Sequence, residues 1–283
     1  MKNLIYPIFR RICFSLVITL LFVPELAAET PSEASETPPE SEPLPIPAEP
    51  DPLPQQAATS DEWQISFTPY LWMVNITGTQ TIGQITVPLE IDFSDVIDRL
   101  KFAFAFHFEA SKGRWGGIFD FNYAAVGDNQ VLTTPSGETA DFNFDIFYQD
   151  FLAFYRIPYD RHSFDVIFGT RYRFLKMDLR FTSGLEPRFD IGWWDPLVGV
   201  RYIGKLHPEK LDVIVNGKVG GFDIGSQFTG EFSAGVKINL TPKISMPVLY
   251  RYLHIQYQEG SGANLFNYHA NEQGLLIGLG FNF

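Results

Sequence analysis

From Trp63 to the end of the chain, bulky apolar residues alternate with small or polar ones. The clearest run is 102–109, FAFAFHFE, with phenylalanine at every even position. Successive side chains of a strand point to opposite sides, so a period of two predicts β-strands with two unlike faces. Short and long connections alternate between about ten such runs. The sequence predicts an all-β antiparallel fold of about 10 strands, with 8 or 12 as alternatives.

The volume of the apolar side chains predicts whether they face the lumen or the outside of the barrel. A closed barrel of roughly eight strands just encloses its side chains, so ten rows of Phe, Leu, Val and Ile would overfill the lumen. The apolar face is therefore predicted to meet lipid, which requires a closed transmembrane β-barrel. Aromatic residues near the strand ends fit interfacial girdles: Trp63, Trp115, Trp193, Trp194, Tyr123 and Tyr202.

Two stretches interrupt the alternation. Residues 77–98 form a long excursion, predicted to hold a short extended piece (84–92) and a capped helical turn (94–98). Near Asp150 the apolar positions change parity, which predicts a β-bulge in the fourth strand.

The N-terminal part has a different composition. A basic start, an apolar run over 12–23 and Ala27-Ala28 predict a signal peptide at 1–28, which contains the only cysteine, Cys13. Residues 29–61 hold nine prolines, eight acids and no base, which predicts a disordered Pro/Glu-rich periplasmic linker, or alternatively an acidic interaction arm. The barrel is then residues 62–283.

Charge and composition exclude several functions. The predicted signal peptide holds three of the 21 basic and one of the 33 acidic residues, so the mature chain would carry a net charge of −14. A chain without a basic patch is not expected to bind nucleic acid. No pair of ligand residues has a useful spacing for a metal, and no cofactor is predicted. The remaining expected partners are outer-membrane lipid and possible small solutes.

The last ten residues, Gly274–Phe283, alternate strictly and end on an aromatic residue. This segment resembles the closing strand of bacterial outer-membrane β-barrels. The resemblance implies that Phe281 and Phe283 form the assembly signal read by the barrel-assembly machinery, and that the protein is in the cell outer membrane.

A second resemblance covers residues 62–283. Its motifs are Pro69-Tyr70-Leu71-Trp72, Phe93-Ser94-Asp95, Trp194-Asp195-Pro196 with Gly199 and Arg201, Gly220-Gly221-Phe222 with Gly225-Ser226, and Tyr250-Arg251-Tyr252. They resemble a family of small Gram-negative outer-membrane barrels, from which the chain departs at Gln227 and Gly230. The resemblance implies fold and compartment, and it implies no activity.

The face predicted to point inward carries similar numbers of bases and acids. The bases are Arg156, Arg171, Arg173, Arg201, Arg251, Lys218 and Lys237, and the acids are Glu109, Asp120, Asp145, Asp165, Asp212 and Glu231. They predict either a charged constriction in a narrow channel or a self-neutralising network that fills the lumen. The near-equal numbers favour the network.

Five histidines are the remaining candidates for chemistry. His107 is expected inside the lumen beside Glu109, and His162 and His207 in solvated turns. A rim site near His254 and His269, with Asp190 and Asp195, is the alternative of an outer-membrane hydrolase. No hydrolase motif such as G-x-S-x-G supports it. The prediction is therefore a non-enzymatic barrel, either a narrow channel or a structural or surface barrel.

Overall fold

A computed structural model describes residues 61–83, 85–133, 139–181, 188–207 and 210–283. The predicted signal peptide and all but the last residue of the predicted linker lie outside these ranges. Ten long strands form the wall: β1 (Gln64–Ile82), β3 (Leu100–Lys112), β4 (Trp115–Thr133), β5 (Thr139–Tyr159), β6 (His162–Phe181), β7 (Arg188–His207), β8 (Leu211–Gly221), β9 (Phe228–Asn239), β10 (Ile244–Glu259) and β11 (Phe266–Gly278).

The wall closes through its first strand. β1 pairs with β3 on one side and with β11 on the other, all antiparallel. A short strand, β12 (Gly280–Asn282), continues β11 past Leu279, whose N–H donates to the Pro69 carbonyl at 3.0 Å. The predicted closed antiparallel barrel of ten strands is confirmed.

The excursion over 77–98 is more ordered than the alternation predicts. β1 runs on to Ile82 and turns into β2 (Ile85–Ile91), which pairs back on it from Ile82↔Ile85 to Ile76↔Ile91. The helix α1 (Phe93–Arg99) follows, where the capped turn was predicted. No helix in the described ranges is long and apolar enough to cross a membrane.

The wall is not paired along its whole height. Pairing of β1 with β3 ends at Pro69↔Phe106, and pairing of β1 with β2 begins only at Ile76↔Ile91. Residues 70–75 of β1 and 100–105 of β3 therefore face each other without a ladder of backbone hydrogen bonds. We call this interruption the wall gap.

The two ends of the barrel differ. One end, the terminal end, holds the start of β1, the end of β12 and the strand ends that are joined by the connections β3–β4, β5–β6, β7–β8 and β9–β10. The other end, the loop end, holds the strand ends that are joined by the longer connections. Toward the terminal end the outer face is apolar and more than one third exposed, as for Phe104, Phe168, Val200 and Phe232. This is the belt that a bilayer would cover.

Toward the loop end, both faces reverse their polarity. On β10 the outward row passes from Tyr250 to His254 and Gln256, while the inward row becomes Leu253, Ile255 and Tyr257, at most 5% exposed. The same exchange occurs on β6, where Lys176 points outward and Leu175 is buried. A wall with a polar outer face is stabilised by burying apolar side chains on its inner face. The prediction of a charged row inside and an apolar row outside holds only for the terminal-end half.

The reversal of polarity, and not a bulge, explains the change of parity near Asp150, so the predicted bulge is wrong. β5 pairs with β6 without a register shift from Ala140↔Phe181 to Tyr159↔His162. Ile146, Tyr148 and Asp150 all lie on the inner face, the first two in the loop-end core. The parity of the apolar residues changes because the lumen changes from apolar to charged along an unbroken strand.

Candidate functional site

In the terminal-end half of the lumen, two arginines lie between two acids. Arg201 donates to Glu109 from Nη1 at 2.6 Å and to Asp165 from Nη2 at 2.6 Å. Arg156 donates to the same Asp165 through Nε at 2.8 Å and Nη2 at 3.0 Å. Both guanidinium groups lie over the Phe154 ring, at 4.9 and 5.0 Å from its centroid. We call these four charged residues the lower ion cluster.

Above it lies a larger group, the central ion cluster, which consists of Asp120, Asp150, Arg171, Lys218, Glu231 and Arg251. Arg171 binds Asp150 through two nitrogens, at 2.6 and 2.7 Å, and reaches Glu231 at 2.5 Å. Lys218 bridges the same two acids at 2.9 and 3.1 Å. Because three positive charges meet three negative ones, the cluster neutralises itself.

Two tyrosines add hydrogen bonds to the central ion cluster. Tyr70 donates to Asp120 at 2.7 Å, while Arg251 Nη1 donates to the Tyr148 hydroxyl at 2.6 Å and to the Tyr70 hydroxyl at 3.3 Å. His107 contacts Asp120 through Nδ1 at 3.0 Å and connects the cluster to Glu109, 3.5 Å from its Nε2.

A separate pair crosses the lumen nearer the loop end. Arg173 donates to Glu272 from Nη1 at 2.6 Å and from Nη2 at 3.0 Å, and the Tyr268 hydroxyl donates to the same carboxylate at 3.1 Å. Above it, Trp193 stacks on Tyr257 with ring centroids 3.9 Å apart. The described lumen is therefore charged below and aromatic above.

Burial tells whether water passes these layers. Side chains that line a water path keep accessible surface, but Arg171 is 1% exposed, Asp150 0%, and the other members of the central ion cluster at most 6%. The apolar core at the loop end is buried to the same degree. Within the described residues, side chains rather than water fill the lumen.

Most of the predicted network residues are brought together. Arg156, Arg201, Glu109 and Asp165 form the lower ion cluster; Arg171, Arg251, Asp120 and Glu231 belong to the central one; and Arg173 pairs with Glu272. Lys218 also joins the central cluster, whereas Lys237 and Asp212 pair separately at 3.0 Å.

One predicted member lies elsewhere, and two members were missed. Asp145 is on the outer face of β5, directly across from Lys176, because odd positions of this strand point outward. It was predicted inside because it alternates with Phe144 and Ile146, which were expected to face outward. The same error concealed Asp150. Glu272 occupies an inward position of β11, as its alternation with Gly274 and Leu276 could have indicated.

The loop between β8 and β9 is attached to the inner wall through Asp195. The Asp195 carboxylate accepts from the Ser226 N–H at 2.6 Å, the Ser226 hydroxyl at 2.8 Å and Trp193 Nε1 at 3.0 Å. Two of the recognised motifs therefore meet here. The contacts correct two predictions, since Trp193 is buried rather than in a girdle and Asp195 is inside rather than on an outer rim.

The other rim candidates do not converge with Asp195. His254 and His269 lie on the outer face of β10 and β11, with ring centroids 5.1 Å apart. His254 Nδ1 contacts the Asn271 side-chain oxygen at 2.8 Å. His162 hydrogen-bonds the Tyr202 hydroxyl at 2.7 Å near the terminal end. No group of three or more metal-ligating side chains occurs in the part of the chain that is described.

Comparisons with known proteins concern the fold alone. No protein-family model matches the sequence, and no curated protein matches it. Among solved structures, the chain is similar to the outer-membrane protease OmpT from Escherichia coli, with 9% identity and a TM-score of 0.49 over 82% of this chain and 100% of that one. It is also similar to the translocator domain of autotransporter NalP from Neisseria meningitidis (13%, 0.40, 77% and 88%) and to Ail of Yersinia pestis (12%, 0.34, 78% and 99%).

Because the identities and TM-scores are this low, the activity of none of these proteins can be inferred for this chain. The closed antiparallel wall and its apolar outer belt are those of an outer-membrane β-barrel.

Proposed function

We propose that this protein is a non-conducting outer-membrane barrel that serves as a structural or surface element. The observation that carries the proposal is the burial of the central ion cluster, whose Arg171 and Asp150 are 1% and 0% exposed. A selective channel needs charged groups in contact with water, and it usually shows one sign in excess. In the central ion cluster, the positive and negative side chains form ion pairs with one another instead.

The proposed orientation follows the connections. Bacterial barrels place short turns in the periplasm and long loops outside the cell. The terminal end would then be periplasmic, and the acidic segment 29–61 would extend from it as a periplasmic arm. The loop-end half, with its polar outer face and apolar core, would stand above the bilayer like a small soluble barrel and present its loops to the surroundings.

We assign no catalysis to the protein. The hydrolase alternative would need His254 or His269 next to an acid or a nucleophile, but the side chain that His254 contacts at hydrogen-bond distance is Asn271. Asp195, the acid considered for that site, is occupied by Ser226 and Trp193 on the inner face.

Planar bilayer recordings test the proposal. Purified protein, refolded and inserted at many copies, is expected to leave the membrane silent, while a general porin in the same bilayer gives discrete steps. Insertion is verified by protease protection of the barrel in vesicles of the same lipid. Discrete openings from the inserted wild-type protein would contradict the proposal of a closed lumen and support the alternative of a narrow channel.

A further inference from the structure

The wall gap contains a cavity of about 120 Å³. Its lining includes Tyr70, Trp72 and Tyr148 from the inner face of the wall and Leu71 and Phe104 from the outer face. Residues of both faces can border one cavity only where the wall itself is interrupted. The cavity therefore connects the space between the central ion cluster and the loop-end core with the outer surface.

The chemistry of the lining selects an apolar occupant. Val74, Ile76 and Ile146 supply aliphatic surface, and Ala103 and Ala124 leave room. Two polar members of the lining are already bound, since Tyr70 donates to Asp120 and the Glu272 carboxylate accepts from Arg173. An apolar cavity of about 150 Å³ is known to stay dry and to accept a molecule of the size of benzene. This one is of similar size, so it would hold a few carbon atoms.

One polar atom of the lining lacks a partner. Trp72 is 8% exposed, and its Nε1 has no hydrogen-bond acceptor within the described ranges. A buried donor without an acceptor costs about 1–3 kcal/mol, so such a group calls for an explanation. A neutral acceptor on the occupant would satisfy it.

The height of the gap points to the source of the occupant. Leu71 and Phe104, beside the opening, are each 45% exposed on the outer face, whereas Asn75 and Thr77, further along β1, begin its polar stretch. The opening thus lies at the upper edge of the lipid-facing belt, where the ester groups of lipids are found. The helix α1, which has no buried residue, covers the cavity with Phe93, Val96 and Ile97.

From these observations we infer that the wall gap binds the carbonyl end of a membrane-lipid acyl chain. The first methylenes would occupy the cavity, and the carbonyl oxygen would accept from Trp72 Nε1. The site depends on the interruption of the wall and the lining of the cavity, and it does not depend on whether the lumen conducts ions.

A photoreactive lipid tests the inference. The barrel is reconstituted with a phospholipid that carries a diazirine close to the acyl ester, irradiated and mapped by mass spectrometry. Labels are expected on inward residues at the gap, Trp72, Ile146 and Tyr148, in addition to the lipid-facing belt. Labels confined to outward residues such as Phe168 and Val200 would overturn the inference.

Matched variants separate binding from misfolding. Ala124→Leu fills the cavity and is expected to abolish inward labelling, while Ala234→Leu, on the outer face of β9, leaves it unchanged. Trp72→Phe removes the donor and is expected to reduce inward labelling about fivefold, and the lipid-facing Trp194→Phe has no such effect. Folding of each variant is checked by the mobility of unheated samples in gels.

The occupant is tested with a second probe. A short photoreactive alkane without a carbonyl is added to barrels in unlabelled lipid. In the wild-type barrel, inward labelling by this solute together with no inward labelling by the phospholipid would identify a small apolar solute and overturn the acyl assignment. Inward labelling by the phospholipid that is reduced by excess unlabelled lipid supports the acyl assignment.

Discussion

Arg173 and Glu272 lie 99 positions apart in the chain and form a two-point ion pair inside the lumen, with nitrogen–oxygen distances of 2.6 and 3.0 Å. Both side chains are at most 3% exposed. The pair joins β6 to β11, two strands that are not neighbours in the wall. It therefore ties opposite parts of the barrel together, as the central ion cluster does one layer below.

Breaking this pair on one side should be costly. Arg173→Met or Glu272→Leu alone leaves a buried charge without a partner, and we expect each to lower the free energy of unfolding by about 3–5 kcal/mol. The double variant should lose less than the sum, because no charge remains unpaired. Urea unfolding in lipid vesicles measures the three values. Strictly additive losses would show that the two side chains do not interact.

Two aspartates on the same strand give a matched comparison. Asp150→Asn should destabilise the barrel by about 3–5 kcal/mol, since it removes a charge from the buried contacts with Arg171 and Lys218. Asp145→Asn, on the outer face, should change stability by less than about 0.5 kcal/mol. Thermal unfolding followed by gel mobility compares them. Equal effects would contradict the placement of Asp145 outside the lumen.

The histidines on the outer face should be dispensable for chemistry. Wild-type protein assayed on phospholipid and peptide substrates is expected to show no hydrolysis above that of protein-free vesicles. His254→Ala and His269→Ala should leave this baseline unchanged. If the wild-type protein hydrolysed a substrate and either variant lost that activity, the alternative of a hydrolase with a rim site would be supported.

The closing strand should act during assembly more than in the folded barrel. Phe283 is 78% exposed, although its N–H donates to the Ile65 carbonyl at 2.9 Å. Phe283→Ala keeps that backbone bond, so we expect a small change in unfolding but a marked loss of folded barrel in cells. Leu240→Ala, another exposed apolar residue near the terminal end, serves as the control. Equal cellular yields for both variants would argue against an assembly signal.

The amino-acid sequence by itself predicted a closed barrel of about ten strands, with 8 or 12 as alternatives, and an apolar belt on its outer face. Alternation like that of 102–109 is a local property, because a strand places neighbouring side chains on opposite faces whatever surrounds it. The charges inside the terminal-end half, such as Arg171 and Arg201, could be predicted for the same reason. Their near-equal numbers already indicated mutual neutralisation.

Only the tertiary structure decided what each inward residue meets. The partner of Arg173 could be any acid at a similar height, since the tilt of the strands and the reach of the side chains fix the pairing across the lumen. The polarity of the inner face also changes with height, because the outer face is apolar in one half of the barrel and polar in the other. That change places Asp145, which was predicted inside, on the outer face, and it brings Asp150 into the central ion cluster. The wall gap arises from where two strand pairings end, at Pro69 and at Ile76, a three-dimensional relation that no local pattern encodes.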